Sequence, residues 1–258
     1  MTWSVSTERT LLRRWARATS ATTALAFVPE CFYQGRVMTP MQAFVRTCLA
    51  QPSFTRQRTL LSRIVQSPHV HARWLNTLAR LEYVGVRKML KARPSSTLDL
   101  DGLRHVLEEA AHATRLKKAA LAVAPERSSV QTFSDEHTLC GDAAERYFQN
   151  LDREATRLLE TERTVGAREE ACYVMTSAAI ELRAKSFYPT YQAVLDETGS
   201  SVSVASIIGD EEAHLEHMAA ALPSLVPTWE CVLEGVMRRE ESEFNAYLDQ
   251  VEAALDKF

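Results

Sequence analysis

Two Glu-x-x-His steps, Glu109–His112 and Glu211–His214, are the residues of this chain whose types and spacing point most directly to chemistry. Residues three apart on a helix share one face, so each step presents a carboxylate and an imidazole to the same point. Carboxylate oxygens combined with imidazole suit iron or manganese better than a metal that prefers thiolates. Each step is therefore a candidate pair of metal ligands.

An isolated glutamate precedes each step. Glu82 lies in LARLEYVGV and Glu181 lies in MTSAAIELRA, where apolar residues recur at helical spacing. Each precedes its Glu-x-x-His step by about one helix hairpin, and the gap from His112 to Glu181 can hold a crossover with its own helix. The pattern predicts four carboxylates and two imidazoles on four helices. Four carboxylates neutralise two divalent ions, which removes most of the cost of burying the charge.

This order of ligands resembles that of the ferritin-like non-haem di-iron carboxylate proteins. The resemblance covers residues 67–221 as motif order, not as extended identity. It implies an all-α fold: a ferritin-like four-helix bundle with a long crossover. It also implies a centre of two Fe ions, with Mn or a mixed Fe/Mn pair as the alternative. The implied metal ligands are Glu82, Glu109, His112, Glu181, Glu211 and His214.

Three further residues are candidates for the site. His105 lies four residues before Glu109, and a similar His-x-x-x-Glu-x-x-His triple supplies a seventh ligand in the p-aminobenzoate N-oxygenase group of these enzymes. There the extra His is on the last helix, whereas here it is on the second, so His105 is either an extra ligand or a core residue. His217 could line the inner face of the fourth helix. Tyr188, on the face of Glu181, could donate a hydrogen bond or an electron near the metals. For His217 and Tyr188, the alternative is an ordinary structural role.

The acidic neighbours of the two steps have the wrong spacing to be ligands. Glu108, Asp210 and Glu212 are expected to face solvent or to orient a ligand His through its second nitrogen.

The resemblance implies a reaction class but no substrate. We expect an enzyme, a non-haem di-iron oxygenase or oxidase that uses O2 to oxidise a small organic substrate by hydroxylation, N-oxygenation or a related reaction. An external electron donor would fit this chemistry. A ferroxidase, iron-handling or peroxide-scavenging ferritin-like protein is the alternative, and a non-catalytic helical interaction module is the second.

Composition excludes several other classes. The chain of 258 residues is 46% hydrophobic and 24% charged with a net charge of −3, so we expect no nucleic-acid partner. No apolar run approaches the ~18 residues of a membrane span, and Met1–Arg17 lacks the apolar core of a signal peptide. The five cysteines are scattered without a CxxC pair, which favours a cytoplasmic protein without disulfides. A homodimer stays open.

We expect a single helical domain over residues 1–258. It comprises a helical extension (1–66), the metal-binding bundle (67–221) and a C-terminal helix (222–258). The predicted helices are Ser6–Ala18, Thr39–Leu49, Arg56–Gln66, 68–93, a helix capped by Asp99 or Asp101 that runs to Val123, 142–164, 168–197, 202–221 and 228–255. Pro189 is predicted to kink the 168–197 helix or end it early, and Pro223 to stop the 202–221 helix.

Overall fold

The computed structural model describes residues 52–93, 95–96 and 98–258. These residues form seven α-helices and two short 3-10 turns, with no strand among them. The helices are Pro52–Gln66 (α1), Pro68–Ala92 (α2), Leu100–Val123 (α3), Gly141–Leu159 (α4), Arg168–Glu197 (α5), Ala205–Leu225 (α6) and Trp229–Leu255 (α7). The all-α prediction is confirmed, whereas the predicted helices Ser6–Ala18 and Thr39–Leu49 lie outside the described residues.

Local signals set the ends of the helices that carry the candidate ligands. Pro68 opens α2, because its fixed φ and missing N–H suit the first helical turn. Asp99 caps α3 by accepting a hydrogen bond from the backbone N–H of Gly102 at 2.8 Å. The helix predicted to end at 164 stops at Leu159 but lies, as expected, between α3 and α5. The starts of α2 and α3 therefore follow from short-range chemistry.

Two prolines do not end helices where the sequence predicted. Pro189 lies inside α5, which continues to Glu197, so an early end is wrong. A proline removes one backbone hydrogen bond, but Tyr188 and Tyr191 beside it are buried and hold the helix against its neighbours. Pro223 lies inside the last turn of α6, which begins at Ala205 and ends at Leu225. Its missing N–H affects only one bond near the helix end, so the predicted stop is also wrong.

α5 lies at the centre of the helical packing. The most extensive contacts pair α2 with α3, α5 with α6, and α4 with α7, and α5 also touches α1, α2, α4 and α7. No helix within the described ranges is long and apolar enough to cross a membrane.

Two apolar clusters divide the interior. The first contains Leu75, Leu116, Tyr191 and Ile207, and the second contains Met89, Met175, Leu215 and Met218. Along each of α2, α3, α5 and α6, the candidate ligands fall where one cluster gives way to the other. The fold therefore places a polar layer between two apolar ones.

Candidate metal centre

The six predicted ligands converge in this polar layer. They are Glu82 on α2, Glu109 and His112 on α3, Glu181 on α5, and Glu211 and His214 on α6. All are buried except Glu82, which is half-buried. Buried histidine and glutamate groups at this position could hold a metal ion.

The ligand atoms form two overlapping groups. The groups are His105, Glu109, Glu181 and His214, and Glu82, Glu109, His112 and Glu211, and within each the ligand atoms lie within 4.8 Å of one another. Glu109 belongs to both. A carboxylate has two oxygens, so one glutamate can serve two neighbouring cations. The two groups therefore share one carboxylate, and each could hold a metal ion.

The two imidazoles turn the same nitrogen toward the carboxylates. His214 Nδ1 lies 3.2 Å from Glu109 Oε1 and 3.3 Å from Glu211 Oε2. His112 Nδ1 lies 3.4 Å from Glu211 Oε1 and 4.0 Å from Glu82 Oε2. Glu211 therefore lies between the two histidines, while Glu109 is shared by the two ligand groups.

The outer nitrogens of these histidines bind acidic residues across the centre. His112 Nε2 lies 3.0 Å from Asp210 Oδ2, and His214 Nε2 lies 3.0 Å from Glu108 Oε2. Each carboxylate immediately precedes the glutamate of the opposite Glu-x-x-His step. Such a bond fixes the tautomer and leaves Nδ1 free to bind a metal. The expectation that these neighbours orient the histidines is confirmed for both, whereas Glu212 is exposed and its carboxylate pairs with a surface lysine.

The carboxylates differ in their protonation. Burial raises the pKa of Glu82 well above its usual value, and the charges of Glu109 and Glu211 raise it further. Burial and the charge of Glu211 likewise raise the pKa of Glu181. In the absence of a cation, both shifts favour the protonated carboxyl over the carboxylate.

Glu109 and Glu211 respond in the opposite direction. Burial opposes their charge, but hydrogen bonds with His105 and His214 lower the pKa of Glu109. Bonds with Glu181 and the imidazoles lower the pKa of Glu211 to about 2. Burial alone would lower the pKa of His214, yet bonds with Glu109 and Glu211 raise it to about 10. The contacts that raise the pKa of His214 join its Nδ1 to the same carboxylate oxygens that a cation would contact.

One atom of the centre tests directly whether a metal fits. His112 Nδ1 is buried and has no hydrogen-bond partner among the described residues, although Glu211 Oε1 is 3.4 Å away. A buried polar atom without a partner is costly and calls for a ligand. Because the opposite nitrogen is held by Asp210, Nδ1 can present its lone pair to a cation. The residues present therefore fit a metal.

The additional candidates have different outcomes. His105 Nε2 lies 3.2 Å from Glu109 Oε1, and its ring centroid is 4.0 Å from that of His214, so it belongs to the centre. The Tyr188 hydroxyl donates to Glu82 Oε1 at 2.5 Å. His217, however, is exposed. A residue three after His214 lies about 60° round the helix, at the edge of the buried face, so its predicted inward position is wrong.

A cavity of about 180 Å³ opens beside the centre. Its walls include Glu82 and Glu109 at one end and aromatic rings at the other. Gly85 also lines the cavity, and an added Cβ there would lie at an ordinary contact distance of 3.8 Å from Glu109 Oε2. The cavity-lining Trp74 and Tyr247 were not predicted, because no local pattern distinguishes them from ordinary core aromatics.

No protein-family model matches the chain, and neither a curated protein sequence nor a solved structure does so.

Proposed function

We propose that the chain is a ferritin-like non-haem di-iron oxygenase or oxidase. The observation that carries the proposal is the pair of four-residue ligand groups that share Glu109. Its support from the fold is that α2, α3, α5 and α6, which supply the ligands, pack as two helix hairpins, the arrangement expected of a ferritin-like four-helix bundle.

Two bound iron ions would supply electrons to O2. In a hydroxylation, one atom of O2 enters a C–H bond and the other leaves as water. Two electrons and two protons from an external donor complete the balance. An N-oxygenation uses an N–H bond in the same way.

The chain's own residues prepare the site for this reaction. Asp210 and Glu108 hold the two histidines with Nδ1 inward, and Tyr188 holds Glu82 by a hydrogen bond. The ligand residues on α3, α5 and α6 are buried between the two apolar clusters, which limits competition from solvent at their inward-facing atoms.

The cavity favours an organic substrate over iron handling. A site that only loads and oxidises iron needs a polar path for hydrated ions, whereas this cavity is walled largely by aromatic and aliphatic side chains. Apolar walls with a few polar groups are typical of small-molecule sites.

Elemental analysis tests the proposal. The protein is purified after supplementation with iron and manganese, beside Glu109→Ala, His214→Ala and the exposed control Glu212→Ala. We expect about two iron ions per chain in the wild type and the control. Both should be lost in Glu109→Ala, and at least the ion that His214 binds should be lost in His214→Ala. The loaded protein should then consume O2 in the presence of a reductant and a suitable substrate.

Other results would change the assignment. Two manganese ions with peroxide disproportionation would favour the peroxide-scavenging alternative. Iron oxidation and accumulation without oxidation of any organic molecule would favour the ferroxidase. A folded wild type without metal would exclude the centre and leave a helical interaction module.

A further inference from the structure

The end of the cavity away from the carboxylates is built from aromatic rings. Trp74 and Tyr247 stack with centroids 6.4 Å apart and planes at 16°. Tyr147 stacks on Tyr247 at 6.4 Å and 10°, and Phe187 lies 5.9 Å from Trp74. All four line the cavity. A flat molecule entering this end would meet ring faces and edges.

Two buried polar atoms at this end have no partner. Neither Trp74 Nε1 nor Tyr247 Oη makes a hydrogen bond to any described residue, although the residues are only 2% and 5% exposed. Other tyrosines in the wall are satisfied: the Tyr147 hydroxyl donates to Glu240 at 2.6 Å and that of Tyr188 donates to Glu82. Buried tryptophan and tyrosine normally find a partner. Both atoms are covered by neighbouring side chains, so a ligand acceptor reaches them only when a ring of the cavity wall turns.

Both atoms are hydrogen-bond donors. The indole N–H can only donate. Burial raises the pKa of the Tyr247 hydroxyl well above its usual value, so it keeps its proton. The complementary group on a ligand is an uncharged oxygen or nitrogen acceptor.

The cations in the wall are already neutralised. Lys88 pairs with Asp152, and Arg183 pairs with Glu240 at 2.6 Å and with Glu241 at 2.8 Å. An anionic ligand would therefore find no uncompensated positive charge at the aromatic end. A cationic ligand would find no uncompensated negative charge once metals neutralise the carboxylates at the other end.

The size and the opening of the cavity limit the ligand. A dry cavity of about 150 Å³ accommodates benzene, and this one measures about 180 Å³. The wall residues on α2 and α4 that are exposed or half-buried include Lys88, Gln149 and Asp152. The cavity thus takes one substituted ring.

We propose that this cavity binds an uncharged, single-ring organic molecule with a hydrogen-bond acceptor, which Trp74 Nε1 and the Tyr247 hydroxyl hold. The ring fills the aromatic end, and its other side faces the carboxylates and imidazoles. This inference names the substrate class of the proposed oxygenase; it rests on that function for the reaction but not for the binding.

A matched pair of probes tests the acceptor. Acetophenone and ethylbenzene have nearly the same shape, but only acetophenone carries a carbonyl oxygen, and benzoate adds a negative charge. Binding to the full chain is measured by isothermal titration calorimetry, with and without bound metal and without reductant. Acetophenone should bind about three- to tenfold more tightly than ethylbenzene, the effect of one or two hydrogen bonds, and benzoate should bind more weakly at the aromatic end.

Conservative variants locate the contact. Trp74→Phe and Tyr247→Phe each keep a ring but remove one donor, so each should reduce the preference for acetophenone and leave ethylbenzene binding nearly unchanged. Trp229→Phe is the control, because Trp229 belongs to the second apolar cluster and does not line the cavity. If Trp74→Phe fails to fold, Tyr247→Phe alone decides.

Several results would overturn the inference. These are equal affinity for acetophenone and ethylbenzene, a preference that survives both substitutions, or no binding by either form of the protein. Tight benzoate binding that requires metal would show that an anion is bound at the ions instead. Metal content of the same samples separates the two proposals. Acetophenone binding without metal supports the ligand class even where the oxygenase fails, and two iron ions without probe binding overturn the ligand class alone.

Discussion

Two clusters of buried charged side chains lie along α5, and they are balanced in opposite ways. Glu181 faces the carboxylate–imidazole centre. Arg183, two residues later, forms an ion pair with Glu240. The second cluster also receives a hydrogen bond from the Tyr147 hydroxyl, and Phe244 lies 4.1 Å from the guanidinium.

The difference lies in where the countercharge comes from. Glu240 is completely buried, but a guanidinium of the same chain bonds both of its oxygens. The centre gathers four carboxylates with imidazoles, and the side-chain hydrogen bonds of these glutamates are to histidines, to one another and to Tyr188. A buried charge needs a partner. The Arg183–Glu240 cluster is complete within the chain, whereas the carboxylate–imidazole centre could be completed by a metal ion. Buried acidity alone therefore does not identify a metal site, because Glu240 is buried beside its own guanidinium.

Breaking the internally balanced cluster should have the largest effect. Arg183→Met leaves the Glu240 carboxylate buried without its cation, and we expect the free energy of unfolding to fall by about 3–5 kcal/mol. Urea denaturation followed by circular dichroism measures the loss. Metal content should stay the same, because Arg183 belongs to neither ligand group.

Two further variants check the cause. The double variant Arg183→Met with Glu240→Leu should recover much of the loss, since no unpaired charge remains. Tyr147→Phe removes one hydrogen bond and should cost about 1 kcal/mol. A double variant as unstable as Arg183→Met would show that packing, and not charge balance, holds this cluster.

Metal binding at the other cluster should depend steeply on pH. Burial raises the pKa of Glu82 and Glu181, and carboxylate bonds raise the pKa of His214 to about 10. These shifts favour the protonated form of each group, and a metal must displace those protons. Affinity should therefore rise with pH through the neutral range, by about tenfold per pH unit for each proton displaced.

Calorimetry in buffers of different ionisation enthalpy counts the protons released. We expect about two or more per chain at neutral pH. If metal affinity did not depend on pH and no protons were released, metal binding would not displace protons from these groups, contrary to the prediction. A Glu212→Ala control should release the same number, because Glu212 is exposed outside the centre.

The acidic residues behind the histidines should have an intermediate effect. Glu108→Gln and Asp210→Asn keep size but weaken the bonds to His214 and His112. Metal affinity should fall about 10- to 100-fold in each, as measured by competition with a chelator. Because each acid supports the histidine of the opposite step, Asp210→Asn should weaken the ion bound by His112. If neither substitution changed metal affinity, the contacts of Glu108 and Asp210 with the histidines would have no role in metal binding.

The sequence predicted most of this centre because its determinants are periodic. Helical spacing places Glu109 beside His112 whatever the remainder of the chain does, and Pro68 and Asp99 fix where the hairpin helices begin. His217 shows the limit of spacing: the same step from His214 reaches the helix edge, and the neighbouring helices decide which edge is covered.

Contacts distant in sequence left no such pattern. Arg183 and Glu240 meet only when α7 packs on α5, and nothing local separates either from an ordinary surface charge. The same holds for Trp74 and Tyr247, whose unsatisfied atoms become visible only in three dimensions. Pro189 does not end α5 early for a related reason, since the buried residues around it outweigh one lost backbone bond.

The smallest expected effect on the free energy of unfolding is that of replacing one carboxylate of the metal centre. The matched replacement in the Arg183–Glu240 cluster should have a larger effect. In chelator-treated protein, Glu181→Leu should change the free energy of unfolding by less than about 1 kcal/mol, because removing a buried carboxyl relieves its desolvation but loses one hydrogen bond. Glu240→Leu, the matched change in the other cluster, should be clearly destabilising, since it strands the Arg183 guanidinium. With saturating metal, Glu181→Leu should become the more destabilising of the two substitutions. The wild type gains stability from the ions that Glu181 helps to bind, and the Glu181→Leu variant does not. If Glu181→Leu destabilised the metal-free chain as much as Glu240→Leu, the centre would be held by internal charges, and the need for ions would disappear.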